Sequence, residues 1–320
     1  MDKEKGRKLL DAFFGRGKGG FMGGRPLMDE DEALGGNAAP GGNAAPGGNA
    51  APDGNSIPGI HGARDRLRTP AKRLSLYSMI EHLISLEEET WFAYAWSREP
   101  LEGKFSREEK LAYAVKAAAC GRSEAELLLR GGTGWGEAGR TGAGAAGGVV
   151  PEEGITGTGL WELAKAMGLK VSTPRTPNGG GHVIFAQYQE PDSITIFMDS
   201  ADKAGKLIEQ EGLSGLLGGQ AVEDVLLAHE LFHVLEYRKR DSIYTRTERV
   251  ELWRKPFSNR SRLICLGEIG GMEFARRLTG ISYTPYVLDV LMMYGYDKGA
   301  AAALYEEIVA FAGDGGGKEQ

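Results

Sequence analysis

His229-Glu230-Leu231-Phe232-His233 sets two imidazoles four residues apart with a carboxylate between them. On a helix, positions i and i+4 share one face about 6 Å apart. Two ring nitrogens so spaced can hold one Zn²⁺, and Glu230, one position round, can reach a water at the metal as general base. This is the chemistry of metal-assisted hydrolysis. With five histidines and 44 acidic residues in 320 positions, the pattern arises by chance roughly 0.01 times per chain. The host segment, Ala221 to Tyr237, reads as a helix in which Val222, Val225 and Leu226 share a stripe with both histidines. A core helix with satisfied histidines would show the same stripe. Ligand spacing with Glu between the pair favours the metal.

A catalytic zinc keeps three protein ligands and one open position. The metzincin extension is absent, because Val234-Leu235-Glu236 follows His233. Glu236, seven residues beyond His229, points past the metal in an unbroken helix, so a carboxylate from a second helix is expected. Arg262 to Thr279 offers Glu268 and Glu273. Glu268 shares its face with Ile264, Cys265, Gly271, Met272 and Ala275 and is expected to point inward, with Gly271 allowing close approach to the metal helix. Glu273 shares its face with Arg276 and Arg277, where a solvated ion pair is the simpler expectation. Glu268 is therefore the expected third ligand.

These residues resemble the ImmA/IrrE-type metallopeptidases of the gluzincin group. The likeness runs roughly from Leu160 to Leu278: WELAKAMGLKV, a hairpin up to IFMD, LLAHELFHVLE, and Glu268, Phe274 and Ala275 in an E-x-x-A-x-x-F-A spacing. Phe232 stands where that family usually has Gly. The resemblance implies zinc ligation by His229, His233 and Glu268, with Glu230 as general base and a polypeptide as substrate. An additional oxyanion donor is usual in such chemistry, and His182, Tyr244 and Tyr283 are its candidates.

The elements that must position these residues can be read coarsely. Leu76, Ile80, Leu83 and Ile84, then Leu111, Ala114, Val115 and Ala118, recur at helical spacing, so residues 67–130 are expected to form two or three helices. Trp91, Phe92, Tyr94 and Trp96 are expected to be packing residues. Leu160 to Leu169 reads as a short helix. His182–Tyr188 and Ser193–Met198, joined by Gln189-Glu190-Pro191-Asp192, read as a β-hairpin. Arg262 to Ala312 is again helical. The expected fold is α+β, mainly helical, with a small sheet packed on the zinc-binding helix.

GGNAAP repeats three times from Gly35 to Pro52, so residues 1–66 are expected to be a disordered arm. Residues 131–159 form a Gly-rich insertion without GxxxxGK[ST], which removes a phosphate-loop reading. The metallopeptidase domain is expected over 160–313, with a tail over 314–320. Arg238 to Arg262 carries nine Lys/Arg and three acidic residues; a lid favouring acidic substrates, a solvated connection and a patch for a partner protein fit it equally.

The net charge of -6 and the lack of a recognition motif argue against nucleic acid as a partner. Cys120 and Cys265, the only two cysteines, are too far apart for a metal knuckle and read as small buried hydrophobes of a reducing compartment. The N-terminus lacks a signal-like apolar region, and no run approaches the roughly 18 apolar residues of a membrane span. A cytoplasmic zinc peptidase of narrow, regulatory range is the expectation, with a polypeptide substrate and a regulatory protein as partner. A zinc-fold binding module that does not hydrolyse is the rival.

Overall fold

Ser75 accepts a hydrogen bond from the Ser78 amide and starts helix α1 (Leu76–Ile84), which buries Leu76, Met79, Ile80 and Leu83. This computed structural model describes residues 74–131, 154–175, 184–251 and 260–313. The GGNAAP arm, most of the Gly-rich insertion, His182 and the tail lie outside the described residues. In α2 (Glu88–Trp96) the aromatic run is buried, and Trp91 stacks parallel to Tyr286 with ring centroids 5.9 Å apart. A capping box of Ser106 and Glu109 opens α3 (Arg107–Leu129).

The inward face of α3 differs from the expected stripe. Ala114 and Ala118 are buried, but Val115 is 45% exposed. The buried surface consists of Ala114, Ala117, Ala118, Gly121, Ala125 and Leu128. Small side chains are required because another helix crosses at backbone distance: a Cβ on Gly121 would lie 2.0 Å from the carbonyl oxygen of Gly270.

Helix α4 (Thr158–Ala166) leads into β1 (Lys170–Ser172), and β2 (Ala186–Gln189) and β3 (Ser193–Ile196) form the expected hairpin. The sheet order is β1-β3-β2. β1 runs parallel to β3 with Val171 opposite Ile194, and β2 is antiparallel with Tyr188 opposite Ile194. The alternation in β3 turns Ile194 and Ile196 into the core. α5 (Met198–Gln210) and α6 (Ser214–Leu217) precede the metal-motif helix α7 (Val222–Arg238). Sequence reading assigned no helix to α5, which buries Ser200, Ala201 and Ala204 and packs Met198, Leu207 and Ile208 against the core.

Within the basic connection lie a one-turn helix, α8 (Tyr244–Thr247), and a two-residue strand pair, β4 (Val250–Glu251) with β5 (Arg260–Ser261). α9 (Ile264–Thr279), α10 (Val287–Tyr294) and α11 (Lys298–Gly313) complete the fold. It is α+β and mainly helical, with β2 and β3 packed against α7. α9 lies between α3 and α7 and is the central helix. Its start is fixed from a distance: the buried Glu99 carboxylate accepts from the Cys265 amide at 3.1 Å, supplying the cap that Leu263 cannot. The described residues from Ser75 onward fall in one compact unit and share one hydrophobic core, so the helices before the Gly-rich segment pack with those after it. Among the described residues, no helix is long and apolar enough to cross a membrane.

Candidate metal centre

Helix α7 is buried along nearly its whole length, which takes His229 out of solvent, leaves His233 only 12% exposed and aims both at α9. The Nε2 atoms of His229 and His233 lie 2.9 Å apart. Glu268, in the second turn of α9, completes the group: its Oε2 is 3.5 Å from His229 Nε2 and its Oε1 is 3.8 Å from His233 Nε2. One potential ligand atom from each residue falls within 4.8 Å of the others. The approach depends on Gly271, where a Cβ would come within 2.8 Å of the His229 ring.

Three buried carboxylates, Glu230, Glu236 and Glu268, surround these two imidazoles. Both Glu230 oxygens, Oε2 of Glu268 and Nδ1 of His229 are buried without a hydrogen-bond partner. Buried polar atoms ordinarily have partners, and an excess of desolvated anionic oxygen beside ring nitrogens is the surrounding that a cation relieves. The group of His229, His233 and Glu268 could hold a metal ion.

The electrostatics are unequal across the four residues. Burial pushes the Glu230 pKa up to about 8, with the His233 charge opposing and Glu268 adding to the rise. The backbone amide of Tyr188 on β2 also opposes it. Burial lowers the proton affinity of His229, against the pull of the Glu268 carboxylate. For His233 burial works against the charged ring, but the hydrogen bond to Glu236 and the fields of Glu268, Glu236 and Glu230 outweigh it and lift its pKa to about 9. Burial likewise resists charge on Glu268, yet His229 and His233 hold it below the usual carboxylate range.

The structure separates the two carboxylates that the sequence offered as third ligand. Glu268 joins the histidines, whereas Glu273 accepts from Arg122 at 2.9 Å and from Arg276 at 3.0 Å. That ion pair is not solvated as expected, because Glu273 is only 5% exposed and Arg122 on α3 reaches across to it. Of the three oxyanion candidates, the structure places Tyr244 and Tyr283 in other surroundings. His182 lies outside the described residues. Tyr244 has a buried hydroxyl without a hydrogen-bond partner, and its electrostatic neighbours are Glu248, Tyr113, Cys120 and Cys265. Tyr283 lines a cavity of about 430 Å³ with Trp91, Met272 and Tyr286, and neither histidine, Glu230 nor Glu268 lines it. Cys265 is buried as expected and Cys120 only half-buried, both with free thiols.

Phe232, at the unusual fourth position of the motif, is accommodated by α9. A Cβ on Gly270 would lie 2.7 Å from the Phe232 ring, and Phe274 packs beside it with centroids 5.5 Å apart. Sequence reading missed the role of two residues near the group, Glu236 and Thr245. Glu236 does turn away from the ligand atoms, as its i+7 position implies, but it bonds the far nitrogen of His233 at 2.8 Å. The available signal was its spacing of three from His233, which brings a side chain back to the same helical face. No protein-family model, curated protein or solved structure matches this chain.

Proposed function

We propose that this chain is a zinc-dependent metallopeptidase of the ImmA/IrrE-like kind, with His229, His233 and Glu268 as ligands and Glu230 as general base. One observation carries the reading: a fully buried carboxylate without a hydrogen-bond partner, Glu230, stands beside three convergent metal-ligating side chains. A purely structural metal site has no use for that carboxylate, and burying it unpaired is costly. Two imidazoles and one carboxylate suit zinc and leave a fourth position open. When bound, zinc supplies the Lewis acidity that acidifies water and polarises a scissile carbonyl.

The chain's own residues do the proton work. Glu230 takes the proton of the attacking water and delivers it to the amide nitrogen as the peptide bond breaks. The lowered proton affinity of His229 keeps its imidazole neutral, the form that ligates, whereas His233, its pKa raised to about 9, must release a proton as the ion binds. Among the described residues β2 pairs with β3 on one side only. Its other edge beside α7 suits an extended polypeptide, which supports a polypeptide as substrate and a regulatory protein as the kind of partner.

The test compares the zinc-loaded wild type with Glu230→Gln on a mixed peptide library, with products read by mass spectrometry. Cleavage is expected to fall about 10²–10⁴-fold in the variant, with zinc stoichiometry unchanged. Equal cleavage by both proteins sinks the assignment of Glu230. A wild type that holds zinc but leaves every polypeptide intact favours the non-hydrolytic binding module.

A further inference from the structure

Glu236 is 5% exposed and lies one helical turn beyond His233 on α7. Its Oε2 is 2.8 Å from Nδ1 of His233, and its Oε1 accepts from the Thr245 hydroxyl on α8 at 2.5 Å. Both oxygens therefore have partners, unlike those of Glu230. α9 closes the third side, because a Cβ on Gly267 would lie 3.1 and 3.2 Å from the two oxygens. The carboxylate is thus wedged between α7, α8 and α9, with His233 and Thr245 as its hydrogen-bond partners.

A carboxylate oxygen only accepts, so the hydrogen in the contact belongs to His233 Nδ1. When an ion displaces the ring's second proton, the other nitrogen presents its lone pair. That nitrogen, Nε2, is the one facing His229 Nε2 at 2.9 Å and Glu268 Oε1 at 3.8 Å. His229 receives no comparable support, since its Nδ1 has no hydrogen-bond partner. Orientation of the pair therefore depends on one residue.

We infer that Glu236 is a positioning residue of the metal centre, holding His233 in the tautomer and rotation that present Nε2 to the ion, with Thr245 and Gly267 fixing Glu236 in turn. The inference goes beyond the peptidase assignment and rests on it only in taking this group as a zinc site. Carboxylates behind ligating histidines set ring orientation and ligand basicity, and their loss commonly weakens metal binding 10–100-fold. The one-turn helix α8 thereby becomes part of the metal site although none of its side chains faces the ion.

The experiment measures the Kd for Zn²⁺ alone, by competition with a chromophoric chelator, on the full chain and on Glu236→Ala, Glu236→Gln and Thr245→Val. Expected is a roughly 10–100-fold weaker Kd for Glu236→Ala, with most of the loss recovered in Glu236→Gln, whose amide oxygen still accepts from Nδ1–H. Thr245→Val is expected to weaken binding a few-fold. Long-range ¹⁵N–¹H spectra of the zinc-loaded protein should show a protonated Nδ1 on His233 in the wild type and in Glu236→Gln, with its proton lost to solvent exchange in Glu236→Ala. A purely structural role would lower the urea midpoint without moving either readout. Wild-type Kd and an intact Nδ1–H resonance in Glu236→Ala overturn the inference and leave the peptidase reading standing. Should Glu236→Ala fail to fold, a wild-type Kd in Thr245→Val together with loss of the His233 Nδ1–H resonance in Glu236→Gln overturns it equally. A wild type that binds no Zn²⁺ removes the inference and the peptidase reading together.

Discussion

Replacing Gly271 by Ala isolates the distance between the two ligand helices. A Cβ there would fall 2.8 Å from Cε1, 2.9 Å from Nδ1 and 3.4 Å from Nε2 of His229. Ordinary contact begins near 3.4 Å, so the ring or the helix must retreat by ~0.6 Å. His229 is fully buried, which leaves the ring no open space to enter. Zinc–nitrogen bonds of about 2.0–2.1 Å tolerate deviations of only about 0.2 Å, so the displacement takes His229 out of bonding range unless the helices part. Zinc affinity is expected to fall at least 10-fold, about 1.4 kcal/mol. Stability of the metal-free chain should fall by about 0–2 kcal/mol, because the helix propensity gained by Ala, about 1 kcal/mol, opposes an overpacking cost of about 1–3 kcal/mol. The assay is chelator competition for Zn²⁺, beside urea unfolding in EDTA. Gly205→Ala is the control: it lies inside α5 with nothing within 4 Å of an added Cβ, and should raise stability by about 0.5–1 kcal/mol without altering zinc binding. Wild-type zinc affinity in Gly271→Ala would refute the claim that this glycine sets the ligand spacing.

Elemental analysis of the purified chain should find about one zinc, lost or weakened in Glu268→Ala and retained in Glu273→Ala, whose lesion is an ion pair with Arg122 and Arg276; metal loss confined to the second variant would assign the third ligand wrongly. Asp289 gives a pH test away from the metal. It is 1% exposed and accepts from the Tyr94 hydroxyl at 2.6 Å. Burial drives its pKa well above the ordinary value, with Tyr94 and Arg98 opposing. Its raised affinity for the proton stabilises the fold fully below the unfolded pKa of about 3.9, and that contribution is lost as pH rises toward the folded value. Asp289→Asn, neutral throughout, should therefore gain on the wild type by up to about 1.4 kcal/mol per pH unit as pH rises from the unfolded pKa of about 3.9 toward the raised folded value. Urea midpoints that move the other way would show Asp289 ionised in the fold.

How much could be read without coordinates depended on whether the signal was local. A helix fixes spacing by itself, so His229, Glu230 and His233 were legible from three letters, and the alternation and turn residues of the hairpin were equally local. The choice of Glu268 over Glu273 also followed from helical periodicity, since only one of them shares the face of Gly271. One element was overlooked and one inward face was only half legible. α5 carries Met198, Ala201, Ala204, Leu207 and Ile208 toward the core at helical spacing, and α3 buries Ala114 and Ala118 of the expected stripe but leaves Val115 exposed and adds Ala117, Gly121 and Ala125. The packing that makes small residues necessary on α3 comes from α9, more than a hundred positions away, where Gly121 meets Gly270.

What the sequence determined by itself, then, is the donor set: two imidazoles at one helical turn, a carboxylate between them, and an inward Glu on a glycine-bearing helix. Tertiary structure decided which atoms meet. The crossing of α9 with α7 and α3, permitted at Gly271 and at Gly121 against Gly270, brings Glu268 to the histidines and carries Glu273 away to Arg122. It also turns Glu236 and Thr245, unremarkable as letters, into the support of His233. The physical reason is that intrahelical geometry depends on residues three and four apart, whereas convergence of donors depends on how closely separate helices can approach, and that is set by side-chain volume at their crossing.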